Sequence, residues 1–309
     1  MMKNALLIGG TGFVGHHLER CLQDRYRVTA SGQNEDIRDT AKIKKLILAV
    51  SPDIVINLAA ITTVQESFER QNDNYNIGFF GTLNLLTALK AAGFHGRMLQ
   101  VGSSEVYGFP SEDQLPLSES EPLRPMSPYA VNKVAIEALC YQWSQTENIE
   151  IVTTRSFTHI GPGQSDRFAI SSFARQIAEI KVKNLEPVIH VGDLSATRDF
   201  TDVRDVVNAY DLLVHKGRSG DIYNVCSNEE VSTQWMLEKL INISGIAVKV
   251  LQDTKRFRKA EQRRVCGSNT KLIKATGWQR RVPLELSLSD ILTFWENKVG
   301  HSKIEYGHI

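Results

Sequence analysis

The cysteines of this sequence follow no pattern. Cys21, Cys140, Cys226 and Cys266 stand far apart, and none forms a Cys-x-x-Cys pair. That spacing fits reduced, buried thiols in a cytoplasmic protein. No run of 18 apolar residues occurs, so no membrane span is expected. A single lysine and the short apolar run Ala5–Ile8 precede Gly9, too little for a signal peptide. Neither charge dominates: 36 Lys and Arg against 35 Asp and Glu leave a formal net charge of +1, with no reason to expect a nucleic-acid or membrane partner. Internal repeats, low-complexity tracts and long linkers are absent too. With 309 residues, 42% hydrophobic, the chain can bury a large core in one or two domains.

Alternation of short apolar runs with helical patterns fills the first half. Ala5-Leu6-Leu7-Ile8 reads as a buried parallel strand and runs into Gly9-Gly10-Thr11-Gly12-Phe13-Val14-Gly15, with Leu18 and Leu22 continuing a helical stripe. Strand, glycine-rich turn and helix put free N–H groups and a positive helix end where a pyrophosphate can sit. Arg27–Ala30 is the second strand. It runs into Ser31-Gly32-Gln33-Asn34 with no acid until Glu35 and Asp36, so the choice between NAD(H) and NADP(H) stays open, and Ser31 and Asn34 are neutral donors available to a 2′-phosphate. Asp36-Ile37-Arg38-Asp39 suggests a very short third strand, with Asp36 either accepting from an adenine amino group or serving as a helix-start turn residue. Asp53–Asn57 is a further strand, and the small residues of Leu58-Ala59-Ala60 let backbone lie against a flat cofactor. A long helix is expected over about 65–91, then a strand at Arg97–Val101 that ends in Ser103 and Ser104. Ligands of a doubly wound sheet bind at the carboxyl ends of its strands, which places those serines beside a nicotinamide.

Ser127-Pro128-Tyr129-Ala130-Val131-Asn132-Lys133 then opens an apolar helix, with serine as N-cap and proline at the first helical position. Four-residue spacing puts Tyr129 and Lys133 on one face. A nearby ammonium favours the phenolate, so the pair is a candidate acid/base for an alcohol or ketone. This helix carries two apolar stripes. Val131, Val134, Ala135 and Ala138 are expected to cover the sheet. Ile136, Leu139, Cys140 and Trp143 need a second cover, either the matching helix of a homodimer partner or the C-terminal half of the same chain. After Ile151–Arg155 the regular alternation is lost. The remainder reads mainly as a smaller cap holding a substrate pocket, and of Arg155, Arg198, Arg258, Arg263 and Arg264 only a convergent subset would bind phosphate, the others being solvated surface charges.

The motifs Gly9-x-x-Gly12-x-x-Gly15, Asn57-Leu58-Ala59-Ala60, Ser103-Ser104-Glu105-Val106-Tyr107-Gly108, Tyr129-x-x-x-Lys133 and Arg198-Asp199-Phe200, in that order, resemble the extended short-chain dehydrogenase/reductases. The segments His159–Gln164 and Arg198–Val206 are most similar to the GDP-4-keto-6-deoxy-D-mannose reductases of that family. The resemblance implies an α/β architecture, a Rossmann doubly wound parallel sheet with a smaller mixed C-terminal domain. Residues 1–156 and about 202–226 would bind the dinucleotide, and 157–201 with 227–309 the nucleotide sugar. It implies an oxidoreductase using NADP(H) or NAD(H) on a GDP-linked deoxy sugar. Gly9, Thr11, Gly12, Phe13, Val14, Gly15, Ser31, Asp36, Ile37, Leu58, Ala59 and Ala60 would line the cofactor with Tyr129 and Lys133. Ser103 would bond the sugar C4 oxygen, Tyr129 would give it a proton, and Lys133 would lower the tyrosine pKa and hold the nicotinamide ribose. Ser104, Glu105 and Thr158 would meet the sugar, and Arg198, Arg258 and Glu261 the nucleotide diphosphate. Two positions depart from the family's habit: Thr158 and Asp193 each stand where relatives often carry asparagine. Glu105 stands where a related epimerase-reductase has cysteine, which argues against C3/C5 epimerisation.

Overall fold

The computed structural model describes residues 2–32, 34–253 and 262–305, the side chains of 302–305 excepted. In chain order come β1 (Lys3–Ile8), α1 (Phe13–Leu22), β2 (Tyr26–Ala30), α2 (Thr40–Val50), β3 (Ile54–Asn57), α3 (Val64–Glu69), α4 (Gln71–Tyr75), a π-helical turn (Asn76–Phe80), α5 (Gly81–Ala91), β4 (Arg97–Val101), α6 (Pro128–Thr146) and β5 (Glu150–Ser156). They continue with β6 (Thr158–Ile160), α7 (Ala169–Lys183), β7 (Val188–Val191), β8 (Thr197–Asp202), α8 (Val203–Lys216), β9 (Ile222–Val225), β10 (Glu230–Ser232), α9 (Thr233–Ser244), β11 (Lys249–Gln252), α10 (Thr270–Thr276) and α11 (Leu284–Glu305).

Two compact units result. The first holds Met1–Phe157, Arg204–Cys226 and Gly267–Gln279. Its sheet has the order β2-β1-β3-β4-β5-β9, every neighbouring pair parallel. The strands are apolar runs rather than alternating ones, as a sheet covered on both faces requires: Ala5 to Ile8 and Ile54 to Asn57 are buried throughout. Leu6, Ile8, Val55, Leu85, Leu89, Met98 and Ile151 join one core beneath the helices. After β2 the chain crosses back to the other side of β1, so the strand order reverses between β1 and β3. In sheets of this kind that reversal marks the ligand crevice.

Four local expectations need correction. Asp36–Asp39 forms no strand; Asp36 to Arg38 make a turn, and Asp39 caps α2 by accepting from the Ala41 and Lys42 N–H groups. The long helix expected over 65–91 is broken at Arg70, whose φ of −126° and ψ of 54° are not helical, and again by the π turn. Residues 267–279 were expected with the second unit but pack with the first, where the Trp278 indole N–H donates to the Asp205 carbonyl at 3.0 Å. On α6 the stripes exchange roles. Ile136 and Cys140 are buried in the first unit's own core, with Leu139 and Trp143 packed against it, while Val131, Ala138 and Tyr141 are exposed. The second stripe therefore needs neither a partner nor the C-terminal half to cover it.

The second unit holds Thr158–Val203, Ser227–Cys266 and Arg280–Ile309. Its sheets are small: β10-β8-β6 and β11-β7. Phe173, Ile177, Leu237, Leu240, Leu288 and Trp295 form its core, drawn from the inward faces of α7, α9 and α11.

Candidate active site

At the carboxyl end of β1 the chain turns through Gly9 at a φ of 71°, a conformation that favours glycine. A Cβ there would lie 2.9 Å from the Ala59 backbone, so the loop packs directly on the segment leaving β3. A Cβ on Gly15 would lie 1.9 Å from the Gly10 carbonyl, which explains the close approach of α1. Gly12 differs: its nearest protein atom would be 3.7 Å away. The protein leaves room at this position, so glycine here serves the approach of a ligand. No side chain caps α1 at Gly12, and its first-turn N–H groups face the same opening as the helix's positive end. These are the features of a pyrophosphate cradle, and the residues fit a dinucleotide.

The flanking candidates sort by what they touch. Thr11 is exposed and stands against Gly32. Phe13 packs edge-on to His17, and Val14 is half-buried behind it. Ser31 is buried, its oxygen accepting from the Gly9 N–H at 3.1 Å, so it helps hold the loop in place. Glu35 folds back to accept from the Gly32 N–H at 3.0 Å. Asp36 is gripped by Arg38 at 2.6 Å, and that guanidinium holds its carboxyl below the usual range. Ile37 is a core side chain, in reach of a ligand only through its backbone. Asn57 is buried and bonds Thr82, Gln100 and the Ala59 N–H, which fixes the path of Leu58-Ala59-Ala60.

The catalytic candidates gather past the end of β4. Ser103 accepts from the Glu105 N–H at 3.2 Å and starts the short 3₁₀ turn Ser104–Tyr107. As the sequence suggested, Ser127 caps α6 through the Ala130 N–H with Pro128 in its first turn. That turn is tied down from outside: Ser67 accepts from the Tyr129 N–H at 3.1 Å, Asn74 donates to the Pro128 carbonyl at 2.9 Å, and Asn132 donates to the Asn74 carbonyl at 2.6 Å. Gly78 in the π turn makes the last contact possible, because a Cβ there would lie 2.0 Å from the Asn132 amide.

Tyr129 and Lys133 are neighbours, with the ammonium 5.7 Å from the ring centre. Burial pushes the phenol up to about 12, against a hydrogen bond from Ser103, and the nearby Glu105 charge raises it further. Burial also pulls Lys133 down to about 8, although Glu137 works in the opposite direction. The Lys133 ammonium donates to the Val101 carbonyl at 2.9 Å. The expected lowering of the tyrosine pKa by lysine is therefore not what dominates; desolvation wins, and the phenol stays neutral.

Arg155, one of five candidate guanidiniums, is neither a surface charge nor open to a phosphate: it is buried against Glu137, Nη2 to Oε2 at 2.9 Å. Tyr210 is wholly buried, bonds the Ser156 hydroxyl at 2.6 Å, and lies near enough to Tyr129 for their charges to interact. Glu137, four residues beyond Lys133, was detectable as a carboxylate on a helix side that is otherwise buried.

In the second unit Thr158 is exposed at the start of β6, in register with Phe200. Arg198 on β8 donates to the Thr197 carbonyl at 2.7 Å. Asp193 accepts from the Ser195 N–H, which holds its carboxyl below the usual range with help from Arg263 and Arg198. Arg264 is paired to Glu230 at 2.7 Å. Asp199 is fully buried and accepts from the Ser227 and Asn228 N–H groups. Arg258 and Glu261 lie outside the described residues.

A reversed parallel sheet, a glycine cradle at the reversal and a Ser–Tyr–Lys cluster two strands away define a dinucleotide-binding α/β protein. The sequence profile of the GDP-mannose 4,6 dehydratase family matches residues 31–291, and the chain belongs to that family. It is 41% identical to the GDP-6-deoxy-D-mannose reductase of Pseudomonas aeruginosa, over 97% of this chain and 99% of that one. The solved structure of RMD from the same organism complexed with NADPH superposes with a TM-score of 0.89, covering 96% of this chain and 99% of that one. A more distant relative is GDP-mannose 4,6 dehydratase 2 of Arabidopsis thaliana, 29% identical over 81% of this chain and 67% of its own length.

Proposed function

We propose that this chain is an NAD(P)H-dependent oxidoreductase that reduces the C4 ketone of a nucleotide-linked 4-keto-6-deoxy hexose. The substrate is GDP-4-keto-6-deoxy-D-mannose, and the product is GDP-D-rhamnose or its C4 epimer. The observation that carries this reading is the neutral, half-buried Tyr129 phenol beside Ser103 and Lys133, in a chain 41% identical over nearly its whole length to a GDP-6-deoxy-D-mannose reductase. Bound NAD(P)H supplies the hydride to C4. Ser103 orients the C4 oxygen, and Tyr129 gives it a proton. An alkoxide is far more basic than a phenolate, so a phenol near 12 still delivers its proton downhill. Lys133 stabilises the resulting phenolate and holds the nicotinamide ribose.

The first unit is the dinucleotide-binding domain, with Gly9, Gly12 and Gly15 at the pyrophosphate and Leu58–Ala60 beneath the nicotinamide half. The second unit holds the nucleotide sugar: Thr158 at the sugar, and Arg198, Arg258 and Glu261 at the diphosphate, where guanidinium forks suit phosphate oxygens. The protein works in the cytoplasm as a homodimer built on the exposed stripe Val131, Ala138 and Tyr141 of α6.

A second reading, a 4,6-dehydratase or a 4-epimerase, is favoured by one observation: Glu105 stands close enough to Tyr129 to shift its pKa and is suited to acid/base work. Deuteride from 4-deuterated NADPH separates the readings. A reductase leaves one deuterium at C4 of the product, whereas a dehydratase or epimerase, which regenerates its own cofactor, incorporates none from solution.

A further inference from the structure

Behind the reacting groups lies a buried ion pair that hydride transfer does not need. Glu137 follows Lys133 by one helical turn, on the same side of α6 as Tyr129. Its carboxylate accepts from Arg155 Nε at 3.0 Å and 3.3 Å and from Nη2 at 2.9 Å, and both residues are 95% or more buried. Arg155 Nη1 donates onward to the Tyr107 hydroxyl and the Glu119 carbonyl, each at 3.1 Å. Tyr107 donates in turn to Asn224 at 2.7 Å. Every group in the chain is engaged, and it runs from the lysine's helix to the end of the 3₁₀ turn that Ser103 begins.

Replacing a buried ion pair by apolar side chains of similar volume is often neutral or stabilising, so core packing alone does not account for this one. We propose that Glu137, one helical turn beyond Lys133 on the same side of α6 and held rigid by Arg155, is a positioning residue whose carboxylate keeps the Lys133 ammonium charged, while the Arg155–Tyr107 link ties that carboxylate to the Ser103–Tyr107 segment. The inference rests on the proposed reductase reading, in which Lys133 serves Tyr129. The groups facing the ammonium are the Val101 carbonyl from β4 and Tyr129, Glu137 and Cys140 from α6, with Arg155 of β5 behind Glu137. The Glu137 carboxylate opposes the burial that pulls Lys133 down to about 8.

The test is Glu137→Gln, which keeps shape and removes charge. The Lys133 titration midpoint is read directly by NMR on lysine-labelled protein, alongside the pH dependence of kcat/KM. The midpoint is expected to fall by about one pH unit, a tenfold loss of proton affinity, with the alkaline limb of kcat/KM following it and the sugar KM little changed. Glu137→Asp, which retains the charge, should restore most of the midpoint. If Glu137→Gln does not fold, the pair Glu137→Gln with Arg155→Gln leaves neutral amides in place and should move the midpoint in the same direction. An unchanged Lys133 midpoint in a folded variant overturns the proposal. Wild-type protein that oxidises no NADPH with any 4-keto sugar overturns the reductase reading instead, and the NMR midpoint still decides the role of Glu137.

Discussion

Lys133 is held where its charge is costly, and that cost is measurable. Its affinity for a proton falls from an ordinary 10.5 to about 8, chiefly because the side chain is only 4% exposed. A fall of that size corresponds to about 3 kcal/mol of folding stability forgone at neutral pH, at roughly 1.4 kcal/mol per tenfold. The sign follows from proton counting. Between pH 8 and 10.5 the unfolded chain binds more protons than the folded one, so this residue makes stability rise with pH; below 8 the penalty is complete and constant. Lys133→Met removes the titrating group and leaves Glu137 paired to Arg155. At pH 7 the variant is expected to be as stable as the wild type or more so, by up to about 3 kcal/mol less the lost bond to Val101, itself worth roughly 1.5–3 kcal/mol for a charged donor. The assay is urea unfolding of both proteins at pH 7, 8, 9 and 10. The difference between variant and wild type should shift in the wild type's favour as pH rises through 8 to 10. A difference that does not change with pH would refute the reasoning, because the lysine would then carry no buried charge.

Three further outcomes are expected. Tyr129→Phe keeps the ring and loses the proton, so kcat should drop ~10²–10⁴-fold with little change in NADPH affinity by fluorescence titration. Tyr141→Asp, on the exposed face of α6, should weaken self-association in sedimentation at micromolar protein, whereas Trp143→Asp should chiefly destabilise the fold, since Trp143 packs against the core. NADPH should match or exceed NADH in kcat/KM, because no carboxylate directly follows Ala30, and Glu35→Gln should improve NADPH further by removing the nearest acid, which folds back onto the Gly32 N–H.

Much of the first unit was legible because its signals are local. Ala5–Ile8 into a glycine turn, and Ser127-Pro128 before an apolar helix, each fix a structure within one turn of chain. Which stripe of α6 faces inward was not legible: both stripes are apolar, and only the positions of Ile136 and Cys140 over the first unit's own core decide between them. Arg155 was not legible. A guanidinium at a strand end suggests a phosphate in sequence, but its partner, Glu137, is set by tertiary packing across 18 residues of chain. The Tyr129 pKa was misjudged because desolvation depends on how deeply the pair is covered, which four-residue spacing does not report.

The reductase account stands most directly on stoichiometry. GDP-4-keto-6-deoxy-D-mannose is mixed with excess NADPH, cofactor loss is followed at 340 nm, and the sugar is quantified by NMR. The account predicts one NADPH oxidised for each C4 ketone converted to an alcohol, at matched rates. Sugar turnover without net loss of NADPH, or no turnover of this sugar with either cofactor, would contradict it.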